Sequence, residues 1–221
     1  MSRVLGVNDF NILPEDIAGG VYLDLDRTIL KTTDLWEQTW RVLAQNYSHI
    51  DGELEYSRLN EHFNYPENAS YFYDFDSHLD DVKIDRQAAY RCLQNSDMAD
   101  GRLEYDDTVK LVEWISQAVG RVRVLTYGLD SVQMLKVSLA PSLADADIYT
   151  TMGSKADYFK ENGIINAVLL DDKSIGHELA EVGVKFIQVL HHGEPHQTVE
   201  PTLWPVAHSL EEARLLLEKS A

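Results

Sequence analysis

The sequence is poor in cysteine and in positive charge. One cysteine in 221 residues, Cys92, forbids an intrachain disulfide and fits a reducing compartment. Lys and Arg number 19 against 37 Asp and Glu, for a formal net charge of −18. A chain this acidic repels phosphate backbones and anionic headgroups, so neither nucleic acid as a general partner nor a membrane surface is expected. Long apolar runs are also missing: no stretch approaches the roughly 18 residues that a spanning helix needs. The first residues, MSRVLGVNDF, lack a basic start followed by an apolar run, so a cytoplasmic protein is expected. What is present suffices for a core. Apolar residues make up 44% and aromatics 10%, and the length suits one full domain with a modest insertion.

The acidity is uneven. From Asp51 to Asp107 there are fifteen carboxylates against five Lys or Arg, so more than half the net charge sits in about a quarter of the chain. Seven of the eleven tyrosines also fall between Tyr47 and Tyr105. Composition therefore marks a distinct segment, and the expected division is a core of residues 1–30 and 107–221 around an insert of 31–106.

Val21-Tyr22-Leu23 reads as a buried strand. Inside the insert, Asp34 followed by Glu37 resembles a helix start, with Trp36, Trp40, Leu43 and Tyr47 at helical spacing. Leu54, Leu59 and Phe63 mark a second helical face and Ala88 to Leu93 a third, with a turn over 64–70 between them. Beyond residue 107, a helix ending at Gly120 is followed by a strand at 122–125 and a helix through Met134, Leu135, Val137 and Leu139. A weak strand at Ile148-Tyr149, a strong one at 167–170 and another at 184–190 follow, with helices at 157–161, 175–182 and 210–218. Such alternation predicts an α/β fold: a Rossmann-like parallel sheet with a mostly helical cap inserted after its first strand.

In open α/β sheets the ligand sits beyond the carboxyl ends of the strands. Those ends read Asp24-Leu25-Asp26-Arg27-Thr28, Thr126-Tyr127-Gly128, Lys155 and Asp171-Asp172. Carboxylates gathered on one edge repel unless a cation neutralises them, and hard oxygen donors suit Mg²⁺. A carboxylate can attack phosphorus, and a second one two residues on can protonate the leaving oxygen and then deprotonate water. A hydroxyl and a lysine can hold the phosphoryl oxygens. The set contains the parts needed for metal-assisted phosphoryl transfer.

The motifs VYLDLDRTIL, RVRVLTYG, Lys155 and AVLLDDKSIG, in that order and each at a strand end, resemble the four motifs of the haloacid dehalogenase-like (HAD) superfamily. The resemblance runs from residue 21 to 176. It implies that Asp24 is nucleophile and Mg²⁺ ligand, and that Asp26 is the general acid/base with its carbonyl on the metal. It also implies that Thr126, Tyr127, Gly128 and Lys155 bind the phosphoryl group, with Asp172 as the direct ligand and Asp171 as its supporting acid. The insert corresponds to the family's C1-type cap. The expected activity is a Mg²⁺-dependent phosphatase acting on a small phosphorylated metabolite through an aspartyl-phosphate. A phosphomutase using the same residues and a catalytically idle binding protein are the alternatives. Arg27 stands where many capped relatives have Gly.

Other residues receive blander readings. Lys136, in MLKVSL, reads as the interior of a helix and a weaker candidate than Lys155. His191, His192 and His196 read as a surface cluster rather than a metal site. Trp36 and Trp40 read as cap core, and Tyr71-Phe72-Tyr73 cannot be oriented. Oligomeric state is not legible.

Overall fold

A computed structural model describes residue 12 and residues 14–64, 73–193 and 204–219. Among these residues six strands form one sheet: β1 (Gly20–Leu23), β2 (Arg123–Tyr127), β3 (Asp147–Thr151), β4 (Ala167–Asp171), β5 (Val184–Val189) and β6 (Val206–Ala207). Their order is β3-β2-β1-β4-β5-β6 and every pairing is parallel. The chain proceeds from β1 to β2 and β3 on one side, then crosses back to β4 on the other. A crevice therefore opens beyond the carboxyl ends of β1 and β4, where such sheets place their ligands.

The apolar strands have two buried faces because helices cover both. Tyr22, Leu125, Leu169 and Phe186 point to one side and pack with Phe159 and Trp204. Val21, Leu23, Val124, Val168, Leu170 and Ile187 point to the other, toward Leu111, Ile115, Leu210 and Leu217. The period of two along each strand sorts its residues between these cores. Gly176 permits the closest approach on the first face, since a Cβ there would lie 2.4 Å from the Trp204 ring.

Among the described residues, four helices are inserted after β1: α1 (Thr32–Asn46), α2 (Gly52–Asn64), α3 (Phe75–Asp81) and α4 (Arg86–Gln94). The core then resumes with α5 (Thr108–Ala118), α6 (Asp130–Ser138), α7 (Lys155–Glu161), α8 (Gly176–Glu181) and α9 (Leu210–Glu218). The second core runs without a break into the insert through Leu35, Trp40, Leu43, Phe75, Leu79 and Leu93. Trp36 and Trp40 are both buried there, as the helical spacing predicted.

The insert joins the core by two crossings that pair with each other. Lys31 N–H donates to the Leu103 carbonyl at 2.8 Å, and Tyr105 N–H to the Ile29 carbonyl at 3.1 Å. Leu30 and Glu104 form an antiparallel bridge between them.

The structure differs from the sequence reading in several elements. Helix α1 begins at Thr32 rather than Asp34, with Lys31 at its N-cap and no side-chain capping bond there. Helix α3 is additional; at seven residues it is too short for helical periodicity to show, although Asp74 caps it by accepting the Ser77 N–H at 2.9 Å. Strand β6 has only two residues and was likewise missed. Leu54 is exposed while Leu59 is buried, so the face read through both is only partly apolar. The Phe63 side chain, most of the 64–70 turn, Tyr71 and Phe72 lie outside the described residues.

Candidate active site

Strand register brings the acids together. Leu23 of β1 is level with Leu170 of β4, and the Asp24 N–H donates to the Leu170 carbonyl at 2.8 Å. Asp24 and Asp171 therefore leave neighbouring strands at the same edge, and Asp172 follows. Lys155 reaches the same point as the first residue of α7. Ser154 caps that helix by accepting the Asp157 N–H at 3.0 Å, and its hydroxyl donates back to the Asp157 carboxylate at 2.8 Å. The buried Lys155 ammonium donates to both Asp24 and Asp171.

Asp24, Asp171 and Asp172 are all buried and offer oxygens within 4.8 Å of one another. Burial raises the Asp24 carboxyl to about 6, with Lys155 opposing the rise and Asp171 and Asp26 adding to it. Asp172 is raised further, to about 8, by burial and by its two acidic neighbours, against Lys173 and Arg27. Lys155 moves up, since the attraction of Asp171 and Asp24 outweighs the burial that would lower it. Asp171 is held by the ammonium at 2.5 Å and by the Lys173 N–H at 2.8 Å. Among the described residues no ammonium is within ion-pair distance of Asp172, and Lys173 and Arg27 only partly offset the repulsion from its acidic neighbours. Three clustered carboxylates, two of them paired with one lysine, form an all-oxygen donor set with negative charge to spare, which fits a hard divalent cation such as Mg²⁺.

Thr126 stands near the end of β2, beside β1, and is buried. Its hydroxyl donates to Gln133 Oε1 at 3.2 Å, and Gln133 Nε2 donates to the Tyr127 carbonyl at 3.1 Å. Gly128, at φ +138°, gives its N–H to the Thr151 carbonyl at 3.0 Å. The Tyr127 ring lies 5.6 Å from the Lys173 ammonium.

A scan against protein-family models and a search of curated proteins found no match. Solved structures do match. A HAD phosphatase from Thermococcus onnurineus superposes with a TM-score of 0.61 at 19% identity, over 89% of this chain and 96% of that one. A HAD family hydrolase from Deinococcus radiodurans R1, with bound phosphate and sodium, gives 0.55 at 18%, over 90% and 95%. A HAD-hydrolase from Bacillus subtilis bound to magnesium gives 0.60 at 15%, over 89% and 97%. The chain has the haloacid dehalogenase-like fold.

In this HAD-like fold Asp26 stands apart from the three clustered acids. Its carboxylate accepts from the Lys136 ammonium at 2.8 and 2.7 Å and from the Thr32 hydroxyl at 2.9 Å. Burial would raise the Asp26 carboxyl, but Lys136, helped by Thr32, prevails and lowers it. Lys136 does lie in the interior of a helix, α6, but it is buried and its charged end reaches Asp26, which its place in the sequence did not indicate. Arg27 adopts φ +59°, the left-handed conformation a glycine would favour, and its N–H donates to the Leu30 carbonyl at 2.9 Å and to Thr32 at 3.0 Å.

The surface reading of the histidines holds for His192 and is corrected at His191. His191 is buried, stacked on Tyr105 with centroids 3.4 Å apart, and its Nε2 lies 3.0 Å from the Thr28 carbonyl. His192 is exposed and stacks on His208, while His196 lies outside the described residues. Among the described residues the only metal-capable cluster is the aspartate one. Sequence reasoning passed over Gln133, Thr32 and Lys173. The available signal was the spacing of Gln133 and Lys136, two polar residues three apart on a helix face that also buries Val132.

Proposed function

We propose that the chain is a Mg²⁺-dependent phosphatase that hydrolyses a small phosphate ester through an aspartyl-phosphate on Asp24. The observation that carries this reading is the buried Asp24–Lys155–Asp171–Asp172 cluster at the crevice of a HAD-like fold.

Each residue has a physical task. The Asp24 carboxylate attacks phosphorus, and the bond from phosphorus to the ester oxygen breaks as the new bond forms. In its protonated form Asp26 gives its proton to the departing oxygen; left as the carboxylate that Lys136 and Thr32 favour, it then takes a proton from the water that attacks the aspartyl-phosphate, which restores the acid. That second step releases inorganic phosphate and restores Asp24. Lys155 keeps Asp24 ionised and offers positive charge beside the phosphoryl oxygens, and the Thr126 hydroxyl donates to one of them. Asp24, Asp171 and Asp172 would hold Mg²⁺, which supplies neutralising charge for the phosphoryl group. The helical insert covers the crevice as a C1-type cap, excluding water and selecting the substrate. The fold supports this reading only by analogy; the residues at the site carry it.

The test is hydrolysis of an aryl phosphate and of a panel of metabolite phosphates, with and without Mg²⁺, by wild type and Asp24→Asn. Mg²⁺-dependent release of inorganic phosphate that the variant loses supports the reading. Absence of such turnover across the whole panel overturns it.

A further inference from the structure

Two separate ion pairs divide the charges at this site, and the second has no role in the chemistry described so far. Lys155 serves Asp24 and Asp171, whereas Lys136 serves Asp26 alone. Lys136 lies 110 residues from Asp26 in sequence and comes from a core helix whose other buried positions are Val132, Gln133 and Leu135. An apolar residue would fill that place without the cost of burying an ammonium. The Lys136 side chain is only 6% exposed, yet both Asp26 oxygens accept from it.

The surroundings fix the pair in one orientation. The Trp36 ring of α1 lies 5.3 Å from the Lys136 ammonium, within reach of a favourable cation–π contact. The Thr32 hydroxyl, at the start of the same helix, makes the third bond to Asp26. The Asp26 side chain nevertheless stays 30% exposed. Lys173 also bears on the Asp26 charge, but less than Lys136 does.

We propose that Lys136 is a positioning residue for the reaction: it holds the Asp26 carboxylate in the one orientation from which proton transfer can occur. The inference rests on the phosphatase reading above. It assigns Lys136 no contact with substrate, only control of where the Asp26 oxygens lie. Because general acid–base catalysis contributes roughly 10²–10⁴-fold, a misplaced Asp26 loses a large share of turnover while leaving the phosphate-binding residues intact.

The experiment compares wild type, Lys136→Met, Lys136→Gln and Lys136→Arg, each in saturating Mg²⁺ with p-nitrophenyl phosphate as the probe. A thermal melt checks that each variant is folded. Met and Gln should lower kcat by about 10²-fold with KM within about threefold of wild type. Arg, whose guanidinium can also meet both carboxylate oxygens, should recover at least a tenth of the wild-type kcat. Gln keeps the polar end without the charge, so it preserves the test if Met fails to fold. Three outcomes overturn the inference: kcat unchanged in Met and Gln, a loss that falls on KM instead, or no recovery in Arg. If wild type shows no Mg²⁺-dependent turnover at all, the phosphatase reading itself fails; a live wild type with unaffected variants removes only the role of Lys136.

Discussion

Asp24 and Asp171 share one proton-bearing group, the Lys155 ammonium, which donates to a carboxylate oxygen of each. The three side chains come from the residue that follows β1, from α7 and from β4, and all three are buried. One cation cannot balance the two acids and Asp172 as well, and that deficit governs how the metal-free protein behaves.

Removing Lys155 should destabilise the fold as well as end activity. Lys155→Met leaves two buried carboxylates without their counter-ion, and breaking such a pair costs about 3–5 kcal/mol. Urea denaturation should show that loss, and kcat should fall by at least about 10²-fold, the usual consequence of losing a charge aimed at the transition state. A variant as stable as wild type would mean that the acids are not held by this lysine.

Metal-free stability should fall as pH rises. Asp24 and Asp172 have folded-state values of about 6 and about 8 against an ordinary value of 3.8. Between those limits the folded protein keeps protons that the unfolded chain has already released, so its stability is greatest at the acid end and declines toward pH 8. Mg²⁺ reverses the trend, because it competes with the same protons and stabilises only the folded state. Melting curves with and without Mg²⁺ should therefore show a larger rise in Tm at pH 8 than at pH 5.5, with protons released on binding. An equal shift at both values would place the metal elsewhere.

Gly128→Ala should damage the phosphate side of the site. At φ +138° a side chain is strained, and its Cβ would lie 2.5 Å from Gln133 Nε2. Backbone strain of this kind costs about 1–3 kcal/mol. Moving Gln133 also disturbs Thr126, so KM for a phosphate ester should rise. Unchanged stability and KM would show that Gln133 does not order this loop.

Ionic strength should matter little to substrate capture. The acidic stretch from Asp51 to Asp107 lies in or next to the insert and repels an anionic ester. Raising salt should leave kcat/KM flat or slightly higher, because screening removes repulsion rather than attraction. A steep fall would indicate a cationic entrance dominated by residues such as Lys173.

The clustered acids were legible in the sequence because each follows a run of apolar residues that can only be a buried strand. Parallel topology then sends all their ends to one edge. Lys136 was not legible in that way. Its meaning depends on Asp26, Thr32 and Trp36, all from a distant part of the chain, and local spacing shows only a polar residue within a helix. His191 was misread for a similar reason: it is buried by Tyr105 and the Thr28 carbonyl, neither of which is near it in sequence. Helix α3 escaped because seven residues make fewer than two turns.

The paired crossings at Ile29–Lys31 and Leu103–Tyr105 make the intervening seventy or so residues a closed appendix to the sheet. Both ends are pinned side by side, so the segment leaves and rejoins the core at one place. Doubling such a segment adds only about 0.6 kcal/mol of closure entropy. Its length can therefore change at little entropic cost, but its first helix cannot be exchanged freely, because Thr32 and Trp36 tie it to Asp26 and Lys136.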